Sequence, residues 1–252
     1  MIIERFLYEI NGFTSDLILA ILIGFGSTMI QSLTGFGLSI VSTPLFLMVY
    51  DPKQVVLILQ LICVVINVFF ALALYKNIDK HFLWILFIGS IIGQPVGLFI
   101  FQIAPNNTLK LFVGLTILIF LIISKLNRKV IKETDKKTAV AGFLSGILTT
   151  ATSMGGPPLI LYLANAKRDK VSMRATCIAY FAITNVSAII IFLIGNTDFS
   201  FAFEQTIYLL PFCFVGLWLG NKLFPYLSQK MFNRIIFVML LFSSLYTLYS
   251  AI

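Results

Sequence analysis

The segment STMIQSLTGFGLSIVSTPLFLMVY, residues 27–50, carries no charge and is interrupted by Gly35-Phe36-Gly37. The segment TAVAGFLSGILTTATSMGGPPLILYL, residues 138–163, is equally uncharged and is interrupted by Gly155-Gly156-Pro157-Pro158. Glycine and proline clusters of this kind end helices. In lipid, irregular backbone is tolerated only where protein or a water-filled cavity receives its polar groups. The two interruptions are therefore the most informative positions for both fold and function.

The composition identifies lipid as the solvent of this chain. Of its 252 residues, 59% are hydrophobic and only 11% are charged, and the mean hydropathy is +1.00. An ordinary soluble domain has about 25% charged residues. Intrinsic disorder, a secreted disulfide scaffold and a nucleic-acid-binding domain are excluded on the same grounds. The net charge of +8 is typical of a membrane protein whose Lys and Arg collect in cytoplasmic loops.

Ten apolar runs are separated by charges, Gly/Pro clusters and Asn. Five of them reach the roughly 20 residues that a membrane span needs, and 108–125 comes close. The runs 37–50 and 157–165, which follow the interruptions, are too short to span. The three cysteines lie inside apolar runs and are interpreted as packing residues, and residues 1–16 lack the pattern of a signal peptide. The runs are 17–33, 37–50, 55–75, 82–103, 108–125, 138–152, 157–165, 171–194, 203–224 and 232–251.

The two halves of the chain resemble each other, with the interruptions in register. At a constant offset of 118 residues, the second half repeats identical residue types: Gly24, Phe25, Ser27, Thr34, Gly37, Asp51 and Asn67 match Gly142, Phe143, Ser145, Thr152, Gly155, Asp169 and Asn185. Gly93 and Gly97 match Gly216 and Gly220 at a slightly larger offset. This pattern predicts a first repeat over 1–125, a basic cytoplasmic linker over 126–137 and a second repeat over 138–252.

The distribution of Lys and Arg predicts how the repeats are oriented. If each interrupted segment is a hairpin that returns to the side it entered from, all Lys and Arg except Arg5, Lys53 and Lys110 lie on one side. If each interrupted segment crosses once, the two sides carry equal numbers. The positive-inside rule favours the hairpin. We therefore expect an all-α polytopic membrane protein of two inverted repeats, each a broken-helix hairpin plus three transmembrane helices, as in many secondary transporters.

A helix that begins inside the membrane presents unpaired N–H groups and the positive end of its dipole. Two such N-termini, one from each repeat, would form an anion site without a buried Arg or Lys. Gln31 and Thr149 lie near the interruptions, and Asn67 and Asn185 lie mid-segment in the runs that follow. The predicted substrate-binding residues are Gln31, Thr34, Gly35, Phe36, Gly37, Asn67, Thr149, Thr152, Ser153, Met154, Gly155, Gly156, Pro157 and Asn185.

The alternative for these small and polar residues is helix packing, because Gly, Ser and Thr allow membrane helices to approach closely. For Gly89, Gly93, Gly97, Gly216 and Gly220 we expect packing. At the two interruptions packing does not explain why both helices stop at equivalent sites. Arg174 is interpreted as a charge that sets orientation, although it could also attract anions to the inner mouth.

The chain lacks the groups that an intramembrane enzyme would need. Its single histidine, His81, lies beside Lys80 in a loop, and no Asp or Glu lies deep inside a long apolar run. We therefore expect no catalytic residue, metal site, cofactor or nucleic-acid partner. Without a G-x-x-x-x-G-K-[ST] motif, energy would come from an ion or substrate gradient.

The motifs at the interruptions resemble those of the TauE/SafE family of sulfite and organosulfonate transporters. The resemblance rests on Gly35-Phe36-Gly37 after Gln31 and Thr34, and on residues 152–158, TSMGGPP. Family members usually have Gly where this chain has Ser153. The resemblance implies export, or less often uptake, of sulfite, sulfoacetate or a similar anion across a bacterial cytoplasmic membrane.

The leading hypothesis is a secondary transporter that binds a small anion at the midplane and rocks one repeat against the other. A passive anion channel, a carrier of another anion such as thiosulfate or a carboxylate, and an accessory subunit are the alternatives. The coupling ion and the oligomeric state are left open.

Overall fold

A computed structural model describes residues 2–126, 134–163 and 170–223 of the chain. Within these ranges the secondary structure is helical, apart from short connections. Most of the predicted linker (127–133) and the final apolar run (232–251) lie outside the described residues. The α-helices are α1 (Ile2–Thr34), α2 (Leu38–Phe46), α3 (Pro52–Leu74), α4 (Lys80–Ile103), α5 (Asn106–Leu126), α6 (Asp135–Thr152), α7 (Gly156–Leu163), α8 (Lys170–Ile194) and α9 (Ser200–Leu223).

Five of the described helices, α1, α3, α4, α8 and α9, have segments long and apolar enough to cross a membrane. Large apolar side chains such as Leu72, Ile92 and Phe99 are exposed on these helices, as expected for a surface that faces lipid. The expected all-α polytopic membrane fold is therefore confirmed. α1 begins at Ile2, well before the predicted run at residue 17.

Both interrupted segments are helix pairs. α1 is followed by the short α2 after Gly35-Phe36-Gly37, and α6 is followed by the short α7 after Ser153-Met154-Gly155. α2 ends at Phe46, earlier than the predicted residue 50. Partial burial raises the pKa of Tyr50, in the turn after α2, to about 12. Its hydroxyl donates to Gln205 Oε1 of α9 over 2.9 Å.

Glycines bring α4 and α6 into backbone contact. A Cβ at Gly89 would collide with the carbonyl oxygen of Ala139, and a Cβ at Gly93 with that of Phe143. Since residue numbers rise together along both helices, α4 and α6 run in the same direction. His81 and Asp135, in their first turns, are 3.4 Å apart.

The pair formed by α1 and α9 is packed in the same way. A Cβ at Gly216 would collide with the carbonyl oxygen of Phe25, and a Cβ at Gly220 with that of Met29. These two helices therefore also run in the same direction. The packing role expected for the glycines of α4 and α9 is confirmed, and in each pair the glycines join one half of the chain to the other.

α3 and α8 complete the centre of the molecule. Asp51 begins α3 with a capping box, and Pro52 occupies the first turn, where its missing N–H removes no helical hydrogen bond. Gln94 of α4 donates through Nε2 to the carbonyl of Thr184 in α8 over 2.7 Å. Gln102 donates in the same way to Gly195 over 3.0 Å, so α4 and α8 run in the same direction.

Candidate functional site

A small cavity lies where the two interruptions meet α3 and α8. Each half contributes its broken helix pair and the next long helix to the wall. The lining residues of α3 and α8 lie near the middle of these membrane-length helices of 23 and 25 residues, so the cavity lies far from the ends of both. The lining residues are Gln31, Gly37, Ser39, Ile40, Cys63, Asn67, Thr149, Ser153, Gly155, Gly156, Phe181 and Asn185.

Several lining residues are equivalent positions of the two halves at the offset of 118 residues. Gln31 corresponds to Thr149, Gly37 to Gly155, and Asn67 to Asn185. The cavity is therefore surrounded by matching positions, although the residues at these positions differ in part.

The first interruption is held by Gln31. Its Oε1 accepts a hydrogen bond from the backbone amide of Leu38, the first residue of α2, over 2.9 Å. Its Nε2 donates to Oδ1 of Asn67. The Gln31 side chain of α1 thereby fixes both the start of α2 and the side-chain amide of Asn67 in α3. The bond uses the oxygen of Asn67 and leaves its NH₂ group as a donor.

The N-terminus of α2 lies at the cavity wall. Leu38 N donates to Gln31, and Val41 N donates to the carbonyl of the preceding Gly37 over 3.0 Å. The amides of Ser39 and Ile40 lie between them, in the first turn, where a helix offers its N–H groups no acceptor of its own. Both residues line the cavity. The positive end of the α2 dipole lies at the same place.

The second interruption is a weaker source of amides. Pro157 and Pro158 have no N–H, so Gly156 alone among the first three residues of α7 can donate one. Ser145 donates to the carbonyl of Gly155 over 2.5 Å, and Thr149 donates to the carbonyl of Ser145 over 2.8 Å. The two N-termini, which we expected to act alike, therefore differ in the number of amides that they offer.

Ser153 places a further hydrogen-bond donor at the second interruption. Its side chain is 3% exposed and lines the cavity, and among the described residues its hydroxyl has no hydrogen-bond partner. A buried hydroxyl without a partner costs about 1–3 kcal/mol. A ligand that accepts a hydrogen bond in the cavity would remove this cost.

The cavity contains neutral donors but no charge. Among the described residues, those that line it include no acidic and no basic side chain. Its polar groups are amides, hydroxyls and backbone N–H groups, and Ile40, Cys63 and Phe181 form its apolar part. Such a lining can hold a small anion with an apolar portion.

Five of the remaining predicted residues lie around the cavity rather than on its wall. Gly35 packs against the backbone of Arg174, and Phe36 packs in the apolar cluster of Tyr180. Met154 is fully buried in the core, and the Thr152 hydroxyl donates to the carbonyl of Leu148 over 2.8 Å. Pro157 is buried in α7, and the side chain of Thr34 lies outside the described part of the structure.

Four lining residues were missed by the sequence prediction: Ser39, Ile40, Cys63 and Phe181. The interpretation of Cys63 as a packing residue is incomplete, because its thiol lies 3.1 Å from Ser39 Oγ at the cavity wall. Cys63 and Phe181 each precede a predicted asparagine by four residues and so lie on the same helix face as it. That spacing was the signal available in the sequence.

Arg174 and Gln60 hold the ends of the two broken helices from opposite halves. The Arg174 guanidinium donates to the carbonyl of Ser32 in the last turn of α1 and packs 4.9 Å from the ring centre of Phe70. Gln60 Nε2 donates to the carbonyl of Thr149, near the end of α6, over 2.5 Å. The structure thus gives Arg174 a structural contact in addition to its expected role as a charge.

Comparisons with known proteins find similarity to transporters. The family model described as "Sulfite exporter TauE/SafE" matches residues 20–247. Over 103 residues, 40% of this chain, the sequence is 28% identical to a protein of Comamonas testosteroni described as "Probable inner membrane transporter protein TsaS". That match covers 43% of the length of the Comamonas protein. No solved structure matches the chain.

Proposed function

Since this chain belongs to the sulfite exporter TauE/SafE family of membrane transporters, we propose that it is a secondary transporter of sulfite or a small organosulfonate. The observation that carries the proposal is the deep cavity, in which both halves supply neutral hydrogen-bond donors. The family description supports export, and the Comamonas relative supports a place in a bacterial inner membrane.

The anion would bind at the N-terminus of α2. The amides of Ser39 and Ile40 would donate to one or two oxygens, and the Ser153 hydroxyl would donate from the second half. Asn67 and Asn185 would complete the shell from α3 and α8. Amides and a helix dipole stabilise an anion without a full positive charge, so the ligand is held and can also leave.

The two halves are proposed to be inverted repeats, 1–125 and 138–252, joined by the linker 126–137. α1 opens the first half and runs with α9, whereas α6 opens the second half and runs with α4 and α8. A short connection, 195–199, joins α8 to α9, so these two membrane-length helices run in opposite directions. These relations support opposite orientations of α1 and α6.

Single cysteines labelled in intact cells test this topology. A membrane-impermeant maleimide should label Asn196→Cys, in the equivalent connection of the second half between α8 and α9, from outside. It should label Asn77→Cys, between α3 and α4, only after the membrane is opened. Labelling of both from the same side would exclude the proposed orientation. Cys63, Cys177 and Cys213 are buried, which keeps the background low.

The moving parts during transport are proposed to be the helix pairs α1–α9 and α4–α6. Each pair is held by backbone contact at successive glycines, and each joins one half of the chain to the other. Sliding or separation of the two helices of a pair would break these backbone contacts. Closely packed interfaces switch between discrete arrangements and do not deform gradually. This differs from the rocking of one repeat against the other that the sequence predicted.

The proposed function is tested with purified protein in liposomes that contain [³⁵S]sulfite. We expect saturable efflux that unlabelled sulfite on the outer side accelerates, because a carrier exchanges its ligand. A channel of the same anions would give flux without this acceleration. Absence of sulfite and sulfonate flux from correctly folded protein would reject the proposed substrate class.

A further inference from the structure

Two equivalent positions on the cavity wall carry side chains of very different size. Cys63 of α3 and Phe181 of α8 are separated by the same offset of 118 residues as Asn67 and Asn185, and all four line the cavity. The wall is therefore closed by a ring in the second half and by a thiol in the first.

Phe181 is held in place by its surroundings. Its side chain is 8% exposed and belongs to the apolar cluster that contains Tyr180, whose ring centre lies 5.2 Å away at an interplanar angle of 59°. An aromatic ring packed in this way cannot leave the wall without disturbing the cluster. The volume that it occupies is therefore unavailable to a ligand.

The equivalent position of the first half carries a much smaller side chain. Cys63 is small, and its thiol lies 3.1 Å from Ser39 Oγ, beside the amides of α2. Ile40 adds apolar surface from α2. If the oxygens of a sulfonate bind the α2 amides, its short substituent would lie against the apolar side chains of Ile40, Cys63 and Phe181.

The volume limits what this place can hold. The space left between the lining residues is small, well below the volume of a site for a drug-sized ligand. The described lining residues include no carboxylate that would pair with an ammonium group. The room therefore suits an uncharged substituent of a few atoms.

We propose that Phe181 sets the upper size limit of the transported sulfonate and that Cys63 leaves the room in which a short, uncharged substituent lies. The inference rests on the proposed transport of sulfur oxyanions through this cavity. Sulfite and methanesulfonate would be carried, and butanesulfonate would be excluded by the Phe181 ring.

The test compares sulfite, methanesulfonate and butanesulfonate flux in liposomes for the wild type and the variants Phe181→Ala, Phe181→Leu and Cys63→Phe. Phe181→Ala should raise the butanesulfonate-to-sulfite ratio about tenfold or more, since each methylene group in an apolar pocket changes selectivity about 10- to 200-fold. Phe181→Leu should give an intermediate increase. Cys63→Phe should lower the methanesulfonate-to-sulfite ratio about tenfold.

Phe99→Ala is the matched control, because Phe99 is an exposed phenylalanine of α4 and should leave both ratios unchanged. If Phe181→Ala does not fold, the proposal is tested by the butanesulfonate-to-sulfite ratio of Phe181→Leu and the methanesulfonate-to-sulfite ratio of Cys63→Phe. Wild-type sulfite flux with unaltered ratios in the folded variants would overturn this inference alone. A wild type that carries none of the three anions would overturn the proposed function as well.

Discussion

Gly35 and Ser153, at equivalent positions of the two halves, both have a left-handed backbone conformation, with φ of 83° and 60°. Each also donates its backbone amide to a carbonyl four residues earlier, that of Gln31 and that of Thr149. The two long helices therefore end with the same geometry. Only the first half uses glycine, the residue that adopts this conformation without a steric cost.

Replacing Ser153 should separate the backbone cost from the role of the hydroxyl. Ser153→Gly and Ser153→Ala both remove the hydroxyl, but only glycine relieves the left-handed strain. We expect the free energy of unfolding of Ser153→Gly to be about 1 kcal/mol higher than that of Ser153→Ala, as measured by denaturation in detergent. Both variants should bind sulfite less tightly than the wild type. Equal stability of the two variants would contradict the assignment of strain.

Gly155 tests the close approach at the second interruption. A Cβ there would collide with Thr149 Oγ1 and contact Ser145, so Gly155→Ala should displace the cavity wall and reduce sulfite flux at least about tenfold. Gly26→Ala in α1 is the matched control, since a Cβ at Gly26 meets no atom within 4 Å. That variant should keep its flux and gain up to about 1 kcal/mol in stability. Equal flux in the two variants would argue against a functional wall at Gly155.

Arg174 is expected to act mainly through the hydrogen bonds of its guanidinium group and less through its charge. Arg174→Ala removes a charged donor from the carbonyl of Ser32 and from Asn221 Oδ1, and should lower the unfolding free energy by about 1.5–3 kcal/mol. Arg174→Lys keeps the charge but loses the guanidinium fork, so it should also reduce stability and flux. Lys136→Ala, at an exposed lysine, should change stability by less than about 0.5 kcal/mol. Full flux in Arg174→Lys would instead favour simple attraction of anions.

Asn185→Asp places a carboxyl group in the cavity with almost no change of shape. When it is ionised it should repel the substrate, and sulfite binding should weaken at least about tenfold. As the pH falls, protonation makes the group a neutral donor again, so binding should recover, in contrast to the wild type. Calorimetric titration at several pH values measures this. Asn107→Asp, at an exposed position, should leave binding unchanged.

Much of the fold was predictable because each long helix is a run of apolar residues and each interruption contains glycine or proline. The depth of Asn67 and Asn185 followed from their place in such runs. The wall residues Cys63 and Phe181 were not predicted, because in sequence they look like ordinary apolar residues of a membrane helix. Which face of α3 or α8 meets the interruptions is decided by tertiary packing.

The unequal strength of the two N-termini was visible in principle, since Pro157 and Pro158 carry no N–H. The contacts of Arg174 were not, because its partners, Ser32 and Asn221, lie far away in sequence and meet it only after α1, α8 and α9 pack. Long-range polar contacts of this kind leave no periodic pattern in the chain.

The location of a bound anion tests the account most directly. Crystals of the protein soaked with selenite, a heavier analogue of sulfite, would show the ion by the anomalous scattering of selenium. We predict a single strong peak in the cavity, within hydrogen-bond distance of the Ser39 and Ile40 amides and the Ser153 hydroxyl. A peak elsewhere in the membrane-spanning region, with this cavity empty, would contradict the account.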